Sequence, residues 1–328
     1  MMQEKRDKMK HFFTLFLLTF LVLPLSSELW LQDSMAENQN NSPATETIRY
    51  GFTQSTLGTV NENDAGAAVR VWTQSLTREL NLPAHTVIHV YSDFSEFKKD
   101  LESNRLDITY VTAPEWFALR RFMAEDKLLT VEQSGTVTEK YILLVHGESG
   151  YNSVQDLKGK NLIVLDNTRA SLAWPWFSDF LEKKGLAAKD FFATLKFEKK
   201  LTNAVLPVFF KQTDACLVTR KGFETMSELN PQISQQLKIM EESGFYIPAV
   251  LGFRKGYQSP LKDLLLNNMP RITQSASGRQ LLTIFQSENI RQISIKDLAG
   301  ISDLFENDKN RPGAGPLFFV NKDKGRDN

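Results

Sequence analysis

The residues best suited to bind an anion lie together at positions 167–171, where the chain reads Asn-Thr-Arg-Ala-Ser. Amide, hydroxyl and guanidinium groups all donate hydrogen bonds, and a guanidinium holds a carboxylate, sulfonate or phosphate through two parallel bonds. The chemistry expected here is recognition of an oxyanion without a metal ion. The same residue types also occur in ordinary helix caps, and an arginine in a first helical turn is often solvated, so that simpler interpretation stays open.

A strand and a helix are predicted on either side of these residues. Residues 161–165 are a short apolar run of strand length, and residues 166–168 are of the types that cap helices. A helix is then predicted from about residue 171 to residue 184. The first backbone N–H groups of a helix have no partner within it and lie at the positive end of its dipole, so we expect this junction to receive an anionic or polar ligand group.

Strands and helices alternate along the rest of the chain, which predicts two α/β units, the first with a mostly parallel sheet. The first unit has predicted strands at 47–52, 86–90 and 107–111 and predicted helices at 65–80, 94–104 and 114–125. The second unit has predicted strands at 141–145, 161–165, 193–197 and 214–218 and helices at 171–184 and 202–211, followed by a strand at 245–254 and a helical stretch at 260–306. Two such units joined by extended segments predict two lobes with a ligand cleft at the carboxyl ends of the strands.

The N-terminus has the pattern of a secretory signal. Four basic residues between positions 5 and 10 precede an apolar run at 12–25, which is short for a membrane span. Residues 1–36 are therefore interpreted as signal peptide and leader, with cleavage after Ser27 or after Ala36. The expected location is the periplasm, across the inner membrane. Because the segment between the apolar run and Ala36 is long, an uncleaved N-terminal anchor is the alternative.

Composition limits the classes of partner and of stabilising bond. The chain has 39 basic and 39 acidic residues, and this balance argues against a nucleic-acid partner. Cys216 is its single cysteine, so no intramolecular disulfide can form. With 41% hydrophobic residues the chain can build the cores of two lobes instead.

Neither a metal site nor a catalytic motif is evident. His85 and His89 are four positions apart, but in a predicted strand that spacing places them about 13 Å apart, too far to share one ion. The sequence has no G-x-S-x-G, Walker, H-E-x-x-H or G-x-G-x-x-G motif. We therefore predict no cofactor, no metal and no enzymatic activity.

Several short motifs follow one another in a recognisable order. They are Asp-Ile-x-Tyr at 107–110, Asp-Leu-Lys-Gly-Lys at 156–160, a proline within the helix at Pro175, Lys-Gly-Leu at 184–186, and Asp-Ala at 214–215. In this order they resemble the periplasmic binding components of phosphate, phosphite and phosphonate ABC importers. The resemblance extends from about residue 48 to residue 305.

This resemblance implies the type II periplasmic binding protein fold, in which two α/β lobes close on a ligand through a two-strand hinge. It places lobe 1 at 47–138 plus 250–328 and lobe 2 at 139–249. The hinge would lie near 139–145 and 245–252.

The resemblance also implies which residues line the pocket. The family's Ser-Thr-Ser-Gly turn falls on residues 168–171, of which Thr168 keeps its hydroxyl, and Ser171 stands where glycine is expected. The two family tyrosines fall on Phe94 and Val111, and Asp214 matches the family's acidic position. Together with donors at the ends of the first and third strands, the candidate ligand-binding residues are Ser55, Thr56, Phe94, Thr112, Asn167, Thr168, Arg169, Ala170, Ser171 and Asp214.

These departures from the family pattern favour a small organic ligand, anionic and phosphonate-like, over inorganic phosphate. The predicted function is an extracytoplasmic solute-binding protein of an ABC importer, with the membrane permease as its partner. The alternative is a sensory module of the same fold that reports ligand occupancy to a membrane kinase or cyclase. An extracytoplasmic enzyme is a third hypothesis, for which the chain offers no catalytic motif.

Overall fold

Two β-sheets organise the protein. The computed structural model describes residues 46–58, 60–79 and 84–309. The predicted signal and leader at 1–36, and the part of predicted lobe 1 beyond residue 309, lie outside the described residues. Among the described residues, no helix is both long and apolar enough to cross a membrane.

The strands of the described part are numbered in chain order. They are Glu46–Thr53 (β1), Ala84–Tyr91 (β2), Ile108–Thr112 (β3), Leu128–Glu132 (β4), Tyr141–His146 (β5), Asn161–Leu165 (β6), Thr194–Glu198 (β7), Ala215–Thr219 (β8), Leu237–Glu242 (β9), Ala249–Phe253 (β10) and Asn289–Ile293 (β11). One sheet has the order β11-β4-β10-β3-β1-β2, and the other has the order β7-β6-β8-β5-β9.

The helices are numbered in the same way. They are Gln54–Leu57 (α1), Glu62–Glu79 (α2), Phe94–Glu102 (α3), Ala113–Leu119 (α4), Ala173–Lys183 (α5), Leu201–Phe209 (α6), Arg220–Leu229 (α7), Pro231–Gln236 (α8), Pro260–Gln274 (α9), Ala276–Ile284 (α10) and Ala299–Lys309 (α11). Their sequences explain their positions. In α3, for example, Asp93 caps the helix by accepting a hydrogen bond from the Ser95 N–H, and Phe97 and Leu101, four residues apart, are the buried residues.

Both sheets are mixed, so the prediction of a mostly parallel sheet is wrong. In the first sheet β2, β1 and β3 are parallel, but β10, β4 and β11 each run antiparallel to their neighbours. In the second sheet β7, β6 and β8 are parallel, and β5 is antiparallel to both β8 and β9. The reason is the path of the chain, which leaves the first sheet after β4 and returns to it as β10. The first strand after each crossing, β5 in the second sheet and β10 in the first, runs against the parallel core of the sheet that it enters.

The two crossings lie side by side. Between β4 and β5, and again between β9 and β10, the chain passes from one sheet to the other. Glu139 and Tyr246 pair there, each donating its N–H to the other's carbonyl, at 2.8 and 2.9 Å. These crossings overlap the segments predicted as the hinge. The exact lobe limits stay a prediction.

The last described helix, α11, contacts a helix of the first half of the chain and one of the two crossings. The ring of Phe305 in α11 lies 4.9 Å from that of Phe117 in α4. The Tyr246 ring approaches Gly300 so closely that a Cβ there would lie 3.3 Å from it. Burial raises the pKa of Tyr246, and the charges of Asp179 in α5 and Asp303 in α11 raise it further. Helix α11 therefore packs against α4, which follows β3 of the first sheet, and against α5, which follows β6 of the second sheet.

Candidate functional site

The polar segment after β6 is a loop rather than a helix start. Helix α5 begins at Ala173, its N-cap is Leu172, and no side chain caps it. Residues 166–172, called the 166–172 loop below, instead fold into turns, in which the Asn167 side chain accepts the Ala170 N–H at 3.0 Å. The prediction that residues 166–168 cap a helix beginning near Ser171 is therefore wrong. The Asn167 side chain accepts the Ala170 N–H in a local turn, and a helix beginning near Ser171 would leave this N–H without a partner.

The N-terminus of α5 has few backbone donors to offer a ligand. Ala173 donates its N–H to the Ala170 carbonyl at 2.9 Å, and Trp176 donates to the Leu172 carbonyl at 2.9 Å. Pro175 has no N–H. These two backbone donors are therefore already bound within the chain, and the side chains of the loop offer further donors beside the remaining N–H groups.

The 166–172 loop contacts the first sheet. Thr168 donates its hydroxyl to the Ser55 carbonyl, which follows β1, at 3.0 Å. Ser171 donates its hydroxyl to the Pro248 carbonyl, just before β10, at 2.6 Å. Thr168 and Ser55, two of the predicted site residues, thus meet across the boundary between the sheets. We call this boundary the cleft.

Arg169 is held by a buried carboxylate on the first crossing. Its Nε donates to Glu139 Oε1 at 2.7 Å, and its Nη2 also pairs with that oxygen. The side chains are only 18% and 5% exposed, so the interpretation of Arg169 as a solvated side chain is wrong. Burial raises the pKa of Glu139 and outweighs the opposing charges of Arg169 and Lys221. Tyr141 also donates its hydroxyl to the Arg169 carbonyl at 3.2 Å.

One nitrogen of this guanidinium is buried without a hydrogen-bond partner. It is Arg169 Nη1, one of four such side-chain atoms among the described residues, with Trp116 Nε1, Trp174 Nε1 and Ser178 Oγ. A buried donor without an acceptor costs on the order of 1–3 kcal/mol, and more for a charged group. The arrangement favours an acceptor at this position.

The opposite wall of the cleft is a cluster of hydroxyl groups around Glu115. Thr53 and Thr112 each donate a hydroxyl to this carboxylate at 2.8 Å, and Ser55 donates at 2.6 Å. The Thr112 N–H donates to it as well, at 2.8 Å. Thr53 and Thr112 end β1 and β3, so the cluster lies at the carboxyl ends of these strands, where ligands bind in open α/β sheets. Glu115 is not among the residues predicted from the sequence, although Thr-x-x-Glu at 112–115 is the pattern of a capping box.

Three other predicted residues have structural contacts of their own. Thr56 donates its hydroxyl to the Thr53 carbonyl at 2.7 Å within the turn after β1. Phe94 begins α3, and its ring stacks on Phe97 at 6.4 Å. Ala170 is buried, with its N–H bound by Asn167. None of these contacts directs a polar group of these residues toward Arg169.

Asp214 lies at the wrong end of the sheet for the cleft. It accepts hydrogen bonds from the Tyr151 hydroxyl at 2.7 Å and from the Asn161 N–H at 2.9 Å. Asn161 begins β6, whereas Thr168 and Arg169 follow its carboxyl end, about 15 Å away along the strand. Burial raises the pKa of Asp214, but the hydrogen bonds from Tyr151 and Asn161 outweigh it and leave this pKa lowered. The prediction that Asp214 lines the pocket is therefore wrong.

The family whose sequence pattern matches this chain is described as the periplasmic substrate-binding protein of phosphonate ABC transporters, and the match covers residues 58–298. The chain belongs to this family. Members of the phosphonate-binding family are transport proteins that bind small molecules outside the cytoplasm and work with ABC permeases; they are not enzymes. The predictions of a solute-binding protein without enzymatic activity are confirmed.

Solved structures share the fold of this phosphonate-binding family member. XAC2383 from Xanthomonas citri bound to ATP is 16% identical, with 80% of this chain and 98% of that chain covered, at a TM-score of 0.62. PA3383 of Pseudomonas aeruginosa, a binding protein component of an ABC phosphonate transporter, is 15% identical, with 83% of this chain and 91% of that chain covered, at a TM-score of 0.55. PhnD1 from Prochlorococcus marinus in complex with methylphosphonate is 13% identical, with 80% of this chain and 98% of that chain covered, at a TM-score of 0.52. The predicted type II periplasmic binding protein fold is confirmed, and the comparison with curated proteins gives no match.

Proposed function

We propose that this chain binds a small organic ligand in the cleft, that Arg169 holds the anionic group of this ligand, and that the ligand is delivered to an ABC permease. The observation that carries the proposal is the buried Nη1 of Arg169, which has no partner in the described part of the chain. A ligand oxyanion would satisfy this donor with a charge-assisted bond. Family membership supplies the transport role.

The surroundings of Arg169 favour an anion of low charge. Glu139 already pairs with the guanidinium, so the pair contributes a directed donor rather than a net positive charge. A carboxylate, a sulfonate or a singly charged phosphonate needs only such a donor. Inorganic phosphate carries up to two charges at neutral pH and would need more donors than Arg169 supplies.

Contacts across the cleft support a ligand bound between the two sheets. The Thr168 hydroxyl reaches the Ser55 carbonyl, and the Ser171 hydroxyl reaches the Pro248 carbonyl. Side chains from the 166–172 loop thus contact the first sheet at the end where its parallel strands finish. Closure of two lobes around a ligand is a common way for a binding protein to present a composite surface to its partner.

The proposal is tested by measuring ligand binding to the full chain with and without Arg169. The ligands are methylphosphonate, ATP, aminoalkyl phosphonates, sulfonates and small carboxylates, screened by the rise in melting temperature and then by calorimetry. A ligand that binds only the folded protein raises its stability with the logarithm of ligand concentration over Kd. Arg169→Gln is expected to weaken binding of the best ligand by about 100-fold, the scale of a lost charged hydrogen bond.

Two controls separate loss of binding from loss of fold. Arg169→Lys keeps a charge beside Glu139 but loses the planar donor set, so it should fold and still bind weakly. Arg291→Gln removes an arginine whose pair with Glu132 is exposed on the first sheet, and it should bind like wild type. Binding by Arg169→Gln within about twofold of wild type would remove Arg169 from the site.

The partner and the processed form are proposed within the family's extracytoplasmic role. We propose a periplasmic protein cleaved after Ser27 or Ala36, and the mass of the exported protein decides between them or shows an uncut, anchored form. Ligand-loaded protein should stimulate the ATPase of the reconstituted importer. Ligand binding without this stimulation would instead favour the sensory module.

A further inference from the structure

Glu115 is placed in the cleft as a bound anion would be. One carboxylate accepts four hydrogen bonds, from the hydroxyls of Thr53, Ser55 and Thr112 and from the Thr112 N–H. A capping box needs only the pair Thr112 and Glu115. The bonds from Thr53 and Ser55 come from a segment about 60 residues earlier in the chain and are additional to it.

We propose that Glu115 is a specificity-determining residue whose carboxylate occupies this hydroxyl cluster and excludes multiply charged phosphorus oxyanions from it. The inference rests on the proposed function, because it takes the cleft as the ligand site. It narrows the ligand to a molecule with one singly charged anionic group for Arg169 and a neutral or cationic remainder facing Glu115.

The cluster is directly connected to the wall that carries Arg169. Ser55 donates its hydroxyl to Glu115 and accepts the Thr168 hydroxyl on its own carbonyl. Thr168 precedes Arg169 in the chain. The Glu115 cluster and the loop that carries Arg169 are therefore linked by two hydrogen bonds through Ser55.

The charges at the two walls disfavour a dianion. Glu115 and Glu139 are acidic, and Arg169, which pairs with Glu139, is the basic residue among the three, so these groups sum to one negative charge. Lys221 also acts on Glu139, but it is exposed, and solvent screens its charge. Repulsion from an uncompensated carboxylate is an effective way to reject the wrong ligand. Removing the negative charge of Glu115 should therefore relax the selectivity.

The test is Glu115→Gln in the full chain, with binding of inorganic phosphate and methylphosphonate measured by calorimetry. Glutamine keeps an oxygen that can accept the Thr112 N–H, so the capping box and the fold should survive. Affinity for inorganic phosphate is expected to rise about tenfold or more as the repulsion is removed. Glu125→Gln, the same change at an exposed carboxylate, is the matched control and should leave phosphate affinity unchanged.

A second variant tests whether the gain in phosphate affinity depends on the hydroxyl donors of Thr53 and Ser55. Glu115→Ala frees the hydroxyls and should also gain phosphate affinity. In Glu115→Ala combined with Thr53→Val and Ser55→Ala, this gain should disappear, because the donors that would hold phosphate are gone. Phosphate affinity of Glu115→Gln within about twofold of wild type, or a gain that survives in the triple variant, would overturn the inference. Circular dichroism and unfolding of each variant show whether it is folded. If Glu115→Gln is unfolded, Glu115→Ala, which leaves the donors free, replaces it with the same expected gain.

The outcomes separate this inference from the proposed function. If Arg169→Gln binds ligand normally while Glu115→Gln gains phosphate affinity, the proposed role of Arg169 is wrong and the role of Glu115 stands. If Arg169→Gln loses binding while Glu115→Gln keeps wild-type selectivity, the role of Arg169 stands and Glu115 has only a capping role.

Discussion

The two walls of the cleft each present a carboxylate, but Glu115 is surrounded by hydroxyl groups, whereas Glu139 pairs with a guanidinium. Hydroxyls can rotate toward water or toward a ligand if the half-buried Glu115 is removed. Arg169 cannot do so, because its guanidinium is mostly buried and fixed by Glu139. One wall therefore carries a carboxylate whose hydroxyl partners can bond to water instead, and the other carries the partner of a mostly buried guanidinium.

The largest expected effect comes from removing the partner of Arg169. Glu139→Gln leaves a mostly buried guanidinium without its counter-charge, which typically costs about 3–5 kcal/mol. Chemical denaturation should show this loss in the free energy of unfolding. Glu148→Gln, which removes the carboxylate of an exposed pair with Lys211, should cost less than about 1 kcal/mol. Equal losses at the two sites would show that the Glu139 pair is no more important to the fold than a surface pair.

A smaller loss is expected on the other wall. Glu115→Ala removes four hydrogen bonds to a half-buried carboxylate, but the hydroxyls left behind can bond to water. The expected cost is about 1–2 kcal/mol, the scale of a lost cap, and is measured by the same unfolding experiment. A loss as large as that of Glu139→Gln would remove the contrast between the walls.

The pH dependence of stability should show the lowered pKa of Asp214. This pKa is lowered on folding, so the contribution of Asp214 is present above the ordinary value of 3.8 and is lost as the pH falls through the lower, folded value. Unfolding of wild type and of Asp214→Asn across acidic pH measures this contribution. Asp214→Asn should approach wild type at the acid end, and a constant difference would contradict the assigned shift.

The smallest effects are expected at the hydrogen bonds that cross the cleft. Thr168→Val removes the donor to the Ser55 carbonyl and should cost about 1 kcal/mol. Ser171→Ala should cost less, because the Pro248 carbonyl still accepts the Ala113 N–H at 2.8 Å. Differential scanning calorimetry of both variants gives the order, and a larger loss at Ser171 would reverse this interpretation.

Much of the fold could be predicted from the sequence, because its central strands are continuous apolar runs. Residues 141–145 and 161–165 were predicted as strands and lie within β5 and β6. The strands β4, β9 and β11 were missed. At 237–242 and 289–293, apolar and charged residues mix without clean alternation, because these strands lie at sheet edges and are only partly buried.

The candidate site could be predicted only in part, because the spacing of residues in the sequence does not show which distant segments form hydrogen bonds with each other. Glu115 pairs with Ser55 across 60 positions, and Glu139 pairs with Arg169 across 30. Asp214 was misplaced for a different reason, since an acidic residue just before a strand lies at its amino end. Spacing did indicate that Ser55, Thr112 and Thr168 lie at or just after the carboxyl ends of strands.

The position of β10 constrains the order in which this protein can fold. It is hydrogen-bonded to both β3 and β4, yet in the chain it follows the whole second sheet. A nascent chain therefore cannot complete its first sheet until residues beyond 253 are available, and pairing strands so far apart is slow because a long loop must close first. For a protein whose family works outside the cytoplasm, this late pairing is compatible with export of the chain before its first sheet is complete.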